Sequence, residues 1–426
     1  MGQGVLTDTR FADAGLARRG RTLHLARVSL AAIAAEVGTP TYVYNAEAIR
    51  ERYRTLDGAL DAVPHRICYA VKANSSLAVL RLLRDLGAGA DIVSAGEMAR
   101  ALAAGFSPDH IVFSGVGKAT DELRRAVRVR LGHLNVESLE ELHRLAAIAE
   151  AEATDVAVGI RVNPDVTTDT HPYISTGKSG IKFGVPVDQV PAAAAVIAAH
   201  PRLTLTSIAM HLGSQLSDTE PFRQGVTRLL ELAEGLRADH PIAVIDIGGG
   251  LAIRYADEIA MEPTRFADAI VPLVAPTGYA VYVEPGRYLV GASGVLLTEV
   301  LYRKHSGGKE FVVVDAGMND LVRPSHYQAY HEIVEIERRD RPMVRADIVG
   351  PVCETGDFLA LDRELPDVES GDRLAVLGAG AYGFVMASNY NTRPRPAEVM
   401  VDGDRWWVAR ARETIEDLYR TEKVSP

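Results

Sequence analysis

The sequence predicts an α/β fold: a (β/α)8 TIM-like barrel followed by a C-terminal β-rich domain of sandwich or barrel type. Three observations predict it. Between about residue 67 and residue 286, short apolar runs alternate with amphipathic helical stretches. These make roughly eight strand–helix units, the number that closes an α/β barrel. After about residue 287 the apolar runs continue, but no long helical stretch separates them.

In chain order, the helix-like "SLAAIAAEVG" (29–38) leads into the barrel. Residues 1–36 are expected to pack with the β-rich domain, 37–286 to form the barrel, and 287–426 to form the β-rich domain. The expected strands are "ICYAV" (67–71), "ADIVS" (90–94), "HIVFSG" (110–115) and "LGHLNV" (131–136). They continue with "VAVGIRVN" (156–163), "LTSIAMH" (205–211), "AVIDIG" (243–248) and "YAVYVE" (279–284). Near-continuous apolarity suits parallel strands covered on both faces. In "SSLAVLRLLRDLG" (75–87), Leu77, Leu80, Leu83 and Leu86 recur near the helical period and Gly87 offers a stop. "ESLEELHRLAAIAEAEA" (137–153) has helical spacing after a Glu-Ser opening. A doubly wound open sheet is the rival arrangement. The β-rich domain is expected from "FVVVDAG" (311–317), "RADIVGPV" (345–352) and "RLAVLGAGAY" (373–382). "EVMVDGDRWWVARA" (398–411) carries an Asp-Gly hairpin signal.

Composition excludes several function classes. At 426 residues, 47% of them hydrophobic, the chain is too long for one ordinary core, so two domains are expected, although an α/β barrel can run long as one. With Asp+Glu 56 against Lys+Arg 46, the net charge is −10, and no long basic run offers a nucleic-acid surface. Arg18, Arg19 and Arg21 read as a solvated turn. The two cysteines, Cys68 and Cys353, lie far apart and form neither a disulfide framework nor a zinc motif. No metal is expected, and a reducing cytoplasm fits. No signal-like N-terminus is apparent, and the apolar runs are too short to span a bilayer, so no membrane partner is expected.

A barrel carries its chemistry where its strands end. Lys72, Asp91, His211, Gly248 and Glu284 all fall at or just past such ends. A lysine there can form a Schiff base with an aldehyde cofactor, and burial favours the neutral amine. By itself it is more often a surface lysine at a strand tip. "IDIGGGLA" (245–252) brings three glycines after a strand, where backbone N–H groups can approach a phosphate. Without G-x-G-x-x-G or a Walker lysine, a dinucleotide or triphosphate is disfavoured. In "MHLGSQ" (210–215), His211 can stack on an aromatic cofactor and Ser214 can bond phosphate, although a strand-end histidine is also an ordinary structural residue. In "VEPGRYLVG" (283–291), Glu284 can keep a ring nitrogen protonated and Arg287 can fork a phosphate or carboxylate; the plain reading is a Pro-Gly turn with an exposed ion pair.

Taken together, "YAVKAN", "MHLGSQ", "IDIGGG" and "EPGR" resemble the fold-type III pyridoxal-phosphate decarboxylases, the alanine-racemase-like barrel group. "RVNPDVTTDTHPYISTGKSGIKFG" (161–184), "RPSHYQAYH" (323–331), "GPVCETGD" (350–357) and "GAGAYG" (378–383) look specifically like the diaminopimelate decarboxylase family. The resemblance covers nearly the whole chain in the same order. It implies pyridoxal 5'-phosphate as cofactor, on Lys72. It implies that His211 stacks on the ring, that Ser214, Gly248, Gly249 and Gly250 meet the phosphate, and that Glu284 partners the ring nitrogen. Asp91 and Gly286 belong to the same cofactor site. Arg287 is implied between phosphate and substrate carboxylate, and Tyr382 beside cofactor and substrate. Cys353 is implied as proton donor, with Lys72 the runner-up and a small apolar core residue the plain reading of the cysteine; Glu354 is implied as ligand of the substrate amine, and Arg323 with Tyr327 as ligands of the distal carboxylate.

The reaction so implied is decarboxylation of meso-2,6-diaminopimelate to L-lysine and CO2, in a homodimer whose active sites lie at the interface, "CETGD" coming from the neighbouring subunit. An arginine aimed at a distal carboxylate penalises ornithine or lysine, which carry only an ammonium there. Alternatives are a decarboxylase of ornithine, arginine or carboxynorspermidine, a racemase, or a catalytically silent regulatory homologue. Two positions depart from the commoner pattern: Ala95 replaces a frequent serine or glycine, and "STGKSGIKFG" is a variant of the loop expected to be mobile (165–182).

Overall fold

The computed structural model describes residues 14–166 and 182–424. By its internal contacts the chain divides into two compact units, one of residues 52–253 with 259–288, the other of residues 1–51, 254–258 and 289–426.

The first unit is a closed parallel barrel. Its strands are β1 (His65–Ala70), β2 (Gly89–Ile92), β3 (Ile111–Phe113), β4 (His133–Val136), β5 (Val156–Asn163), β6 (Leu203–Ala209), β7 (Val244–Asp246) and β8 (Ala280–Val283). Each pairs in parallel with the next, and β8 pairs with β1, so the ring has no edge. Closure removes the unpaired backbone groups that an open sheet would leave. Helices join consecutive strands, from Leu77–Asp85 after β1 to Pro263–Val274 before β8. The Glu-Ser opening is a true helix start: Ser138 caps Leu139–Ala151 by accepting from the Glu141 backbone N–H. In Leu77–Asp85 the buried face is Val79, Leu80 and Leu83, whereas Leu77, in the first turn, is 37% exposed.

The second unit is β-rich. A three-strand antiparallel meander (Leu16–Arg19, Thr22–Leu25, Val28–Ser29) runs into the helix Leu30–Val37. A nine-stranded sheet is organised on the long strand Gly294–Ser306, which pairs with Thr41–Asn45, Lys309–Val314 and Arg373–Val376. Leu23, Leu25, Leu30 and Ile33 share one core with Val43, Val295, Leu297, Val399 and Val401. The Asp-Gly hairpin joins Ala397–Asp402 to Arg405–Arg410, and Gly403 takes φ +63° at the turn.

Two expectations are corrected. Residues 37–51 were expected in the barrel, but Thr41–Asn45 lies in the β-rich sheet, antiparallel to Gly294–Leu297 and parallel to Ala397–Val401. "TYVYN" is buried at every position, which suits a central strand between two neighbours. The arginines at 18–21 are not simply a solvated turn: Arg18 lies in a strand and donates to the Glu335 carbonyl at 2.6 Å, while Arg21 is exposed.

Candidate active site

The register of β1 and β2 sets the first contact. Ala70 pairs with Asp91, and the chain then turns through a single 3-10 turn, Val71–Ala73, that carries Lys72. Lys72 Nζ donates to Asp91 Oδ2 at 2.9 Å. Asp91 is fully buried, and its other oxygen, Oδ1, has no hydrogen-bond partner among the described residues. A buried oxygen left in that condition marks a place built for a further polar group.

Gly286 lets the β8 exit pass beside this lysine turn. A Cβ there would lie 2.9 Å from Ala73 Cβ and 3.1 Å from Ala70 Cβ. The Ala70 N–H donates to the Pro285 carbonyl at 3.3 Å, tying the two strand exits together.

A polar layer crosses the barrel interior. Asp91, Ser114, Asn135, Ser207, Asp246 and Glu284 are all buried and come from six different strands or strand exits. Gly159 opposite them admits no side chain: a Cβ would sit 2.0 Å from Asn135 Oδ1 and 2.5 Å from Ser207 Oγ. Ser114 donates to Glu284 at 3.4 Å, and Asn135 to Ser114 at 3.2 Å. Burial, then the charges of Asp246 and Asp91, hold the Glu284 carboxyl well above the usual carboxylate range. Burial likewise lifts Asp246 to about 6. Glu284 therefore keeps a proton in the protein interior.

His211, just past β6, accepts at Nδ1 from the Gly249 N–H at 3.0 Å. A backbone N–H only donates, so Nδ1 carries a lone pair and the ring is neutral. Burial, followed by the positive charges of Lys72 and Arg161, pushes the imidazole well below its ordinary pKa, in agreement with that tautomer.

The triple-glycine loop does something other than the sequence suggests. The Gly248 N–H donates to Asp246 Oδ1 at 3.0 Å and the Gly249 N–H donates to His211, so two of the three donors are engaged inside the protein. The glycines are needed for close approach instead: Cβ atoms at Gly248 and Gly249 would meet the carbonyl oxygens of Met210 and Glu284 at 2.4 and 2.3 Å. The anion-binding groups gathered here are Ser214 and Arg287, whose Nε and Nη2 both reach Ser214 Oγ at 3.2 Å. A buried guanidinium, a hydroxyl, a proton-bearing carboxyl, a neutral imidazole and an amine on an unsatisfied carboxylate match a phosphorylated pyridine aldehyde group by group.

The barrel thus brings together Lys72, Asp91, His211, Ser214, Gly248, Gly249, Gly250, Glu284, Gly286 and Arg287. Sequence reasoning missed Ser114, Asn135, Ser207 and Asp246; their signal was a polar residue within or just past an otherwise apolar strand. Arg161, in β5, was also missed; it pairs with buried Glu137 at 2.8 Å.

The β-rich unit carries the remaining candidates. Arg323 begins the short helix Arg323–Tyr327 and is buried; Nη1 lies 3.0 Å from His331 Nε2, and its guanidinium carbon stands 4.7 Å from the Tyr255 ring centroid. Tyr327 is partly exposed, its ring edge-on to His326. Cys353 and Glu354 are exposed on a loop that Asp357 organises by accepting from the Met318 and Val352 backbone N–H groups at 2.6 and 2.5 Å. Tyr390 hydrogen-bonds the Glu354 carboxylate. Tyr382 takes φ +56°, a strained backbone for a bulky residue and typical of functional positions. The "HPYISTG" stretch and most of the variant loop lie outside the described residues.

Residues 46–291 match the family of pyridoxal-dependent decarboxylases, over its pyridoxal binding domain. The chain is 49% identical to a diaminopimelate decarboxylase of Pseudomonas fluorescens over 414 residues, covering 96% of this chain and 98% of that protein. It is 46% identical to one of Aquifex aeolicus, over 93% of this chain and 95% of the other. The crystal structure of diaminopimelate decarboxylase from Helicobacter pylori complexed with L-lysine superposes with a TM-score of 0.89, at 40% identity over 92% of this chain and 98% of that one.

Proposed function

The chain belongs to the diaminopimelate decarboxylase family of pyridoxal-dependent decarboxylases, and from that premise we propose how its own residues convert meso-2,6-diaminopimelate to L-lysine and CO2. One observation carries the assignment of the cofactor site: Lys72 held at 2.9 Å by a buried aspartate, in the same barrel mouth as a neutral His211 and a proton-bearing Glu284.

When bound, pyridoxal 5'-phosphate supplies an aldehyde that condenses with amines and a ring that draws off the electrons left behind by CO2. Ser214 and Arg287 would hold the phosphate. Glu284 would hold a proton at the ring nitrogen, and the Asp246 charge beside it would keep that proton in place. His211, neutral and fixed through Nδ1, offers its flat face without adding charge. Asp91 orients the Lys72 amine through a charge-assisted hydrogen bond.

Substrate choice falls to the β-rich unit's side chains. Arg323 with Tyr327 binds the carboxylate that stays, Glu354 binds the ammonium beside it, and Tyr382 lines the reacting end. The carbon–carbon bond to the leaving carboxylate breaks, CO2 departs, and Cys353 delivers a proton from its thiol to the carbon. Cys353 and Glu354 are exposed within one chain. Such exposure suits donation to a neighbouring subunit, and we read the working form as a homodimer, with sedimentation or light scattering as the check. The two free thiols, Cys68 and Cys353, suit a cytoplasmic enzyme.

The test is incubation of the purified protein and cofactor with meso-diaminopimelate, ornithine and arginine. The expected result is lysine and CO2 in equal amounts from the first substrate alone. Lys72→Ala should abolish both products and the protein-bound cofactor absorbance. Release of CO2 from ornithine but none from meso-diaminopimelate would overturn the reading.

A further inference from the structure

We propose that His331 is a positioning residue for Arg323, a neutral imidazole that fixes the direction in which the guanidinium meets the carboxylate retained in the product. The inference rests on the assignment of Arg323 to that carboxylate and adds a residue whose side chain is fully buried behind it.

Two hydrogen bonds determine the state of the ring. His331 Nδ1 lies 2.8 Å from the Leu377 carbonyl oxygen, and a carbonyl only accepts. Nδ1 therefore carries the proton. Nε2 lies 3.0 Å from Arg323 Nη1, and a guanidinium only donates. Nε2 therefore presents a lone pair. Both demands are met only by the neutral Nδ1–H tautomer. An imidazolium would set two N–H donors and two positive charges face to face.

The ring is packed as well as hydrogen-bonded, and its backbone is tied down. The Tyr255 ring meets it edge-on at 5.5 Å, and the same Tyr255 ring lies beneath the Arg323 guanidinium. Gly378 leaves room for Tyr255, since a Cβ there would come within 3.2 Å of the phenol ring. The His331 carbonyl accepts from Arg363 at 2.9 Å, and the neighbouring Glu332 carbonyl accepts from the Leu377 N–H at 2.8 Å. A histidine that merely filled the core would explain the bond to Leu377. It would not explain a lone pair aimed at an arginine donor. Holding one Nη1 hydrogen on His331 restricts the remaining donors of the fork to one orientation, which is what bidentate carboxylate recognition requires.

The test uses the holoenzyme and compares H331L, H331Q and R323A. L-Lysine keeps the carboxylate in question; cadaverine lacks it. In H331L the KM for meso-diaminopimelate and the inhibition constant of L-lysine should both rise about tenfold or more, the loss of one charge-assisted contact. The kcat, the cofactor absorbance and the inhibition constant of cadaverine should change by less than about threefold. H331Q, which keeps an acceptor facing Arg323, should recover most of the lost affinity. If H331L does not fold, H331M removes the same acceptor with a flexible apolar chain. R323A weakening L-lysine while H331L and H331M leave it unchanged would overturn the role of His331 and spare that of Arg323. If R323A fails to distinguish L-lysine from cadaverine, the assignment of Arg323 falls and this inference with it.

Discussion

Replacing Asp246 by asparagine should stabilise the cofactor-free protein at alkaline pH and do so less at acid pH. Asp246 is almost completely buried at the end of β7, its Oδ1 bound to the Gly248 N–H and its carboxyl hydrogen-bonded to Glu284 and Asn135. Burial raises it from 3.8 to about 6. Across that window the folded protein binds a proton that the unfolded chain has released, so stability falls as pH rises and is lowest above about 6. A rise of that size costs about 3 kcal/mol at pH 8 and about half as much at pH 5. Asparagine keeps the acceptor for Gly248 and never charges. Packing differences do not change with pH and cancel in the comparison, and freeing Glu284 from the Asp246 charge acts in the same direction, easing the cost more at pH 8 than at pH 5. Urea unfolding of wild type and D246N at both pH values should therefore show the variant gaining about 1–2 kcal/mol more at pH 8 than at pH 5. The same gain at both pH values would refute the reasoning, because it would mean that Asp246 is charged in the folded protein across the whole range.

The other predictions concern Cys353 and the triple-glycine loop. C353A should lower kcat about a hundredfold, the ordinary scale for losing a general acid, while the cofactor absorbance and the KM change little; steady-state kinetics and a visible spectrum check it. G249A should weaken pyridoxal phosphate binding more than tenfold and cost about 1–3 kcal/mol of stability. The added methyl would meet the Glu284 carbonyl oxygen at 2.3 Å and displace the carboxyl that follows it. A fluorescence titration with the cofactor and a melting curve report the two effects separately.

Parts of this molecule are legible because parallel strands covered on both faces must be apolar from end to end. "VAVGIRVN" is β5 to the residue, and the other seven strands overlap their expected runs. One polar residue at the end of such a run can be merely structural; Lys72, Asp91, His211 and Glu284 stand out because so many of the strand ends carry one. The strand Thr41–Asn45 was assigned to the wrong unit because its partners lie some 250 and 350 residues further along, beyond any local pattern. The triple-glycine loop shows a further boundary. Its composition signals a close backbone approach, but not which groups approach.

What the sequence by itself determined is the kind of fold, since periodicity is a property of the chain alone, and, through its resemblance to a known family, the cofactor. Which carboxyl keeps its proton, which tautomer each histidine takes, and which oxygen Lys72 touches were decided only by the tertiary structure. Those depend on the dielectric and the neighbours that each group meets when strands distant in sequence close into one ring. Asp246 and Glu284 are 38 residues apart in the chain and share a hydrogen bond in the barrel.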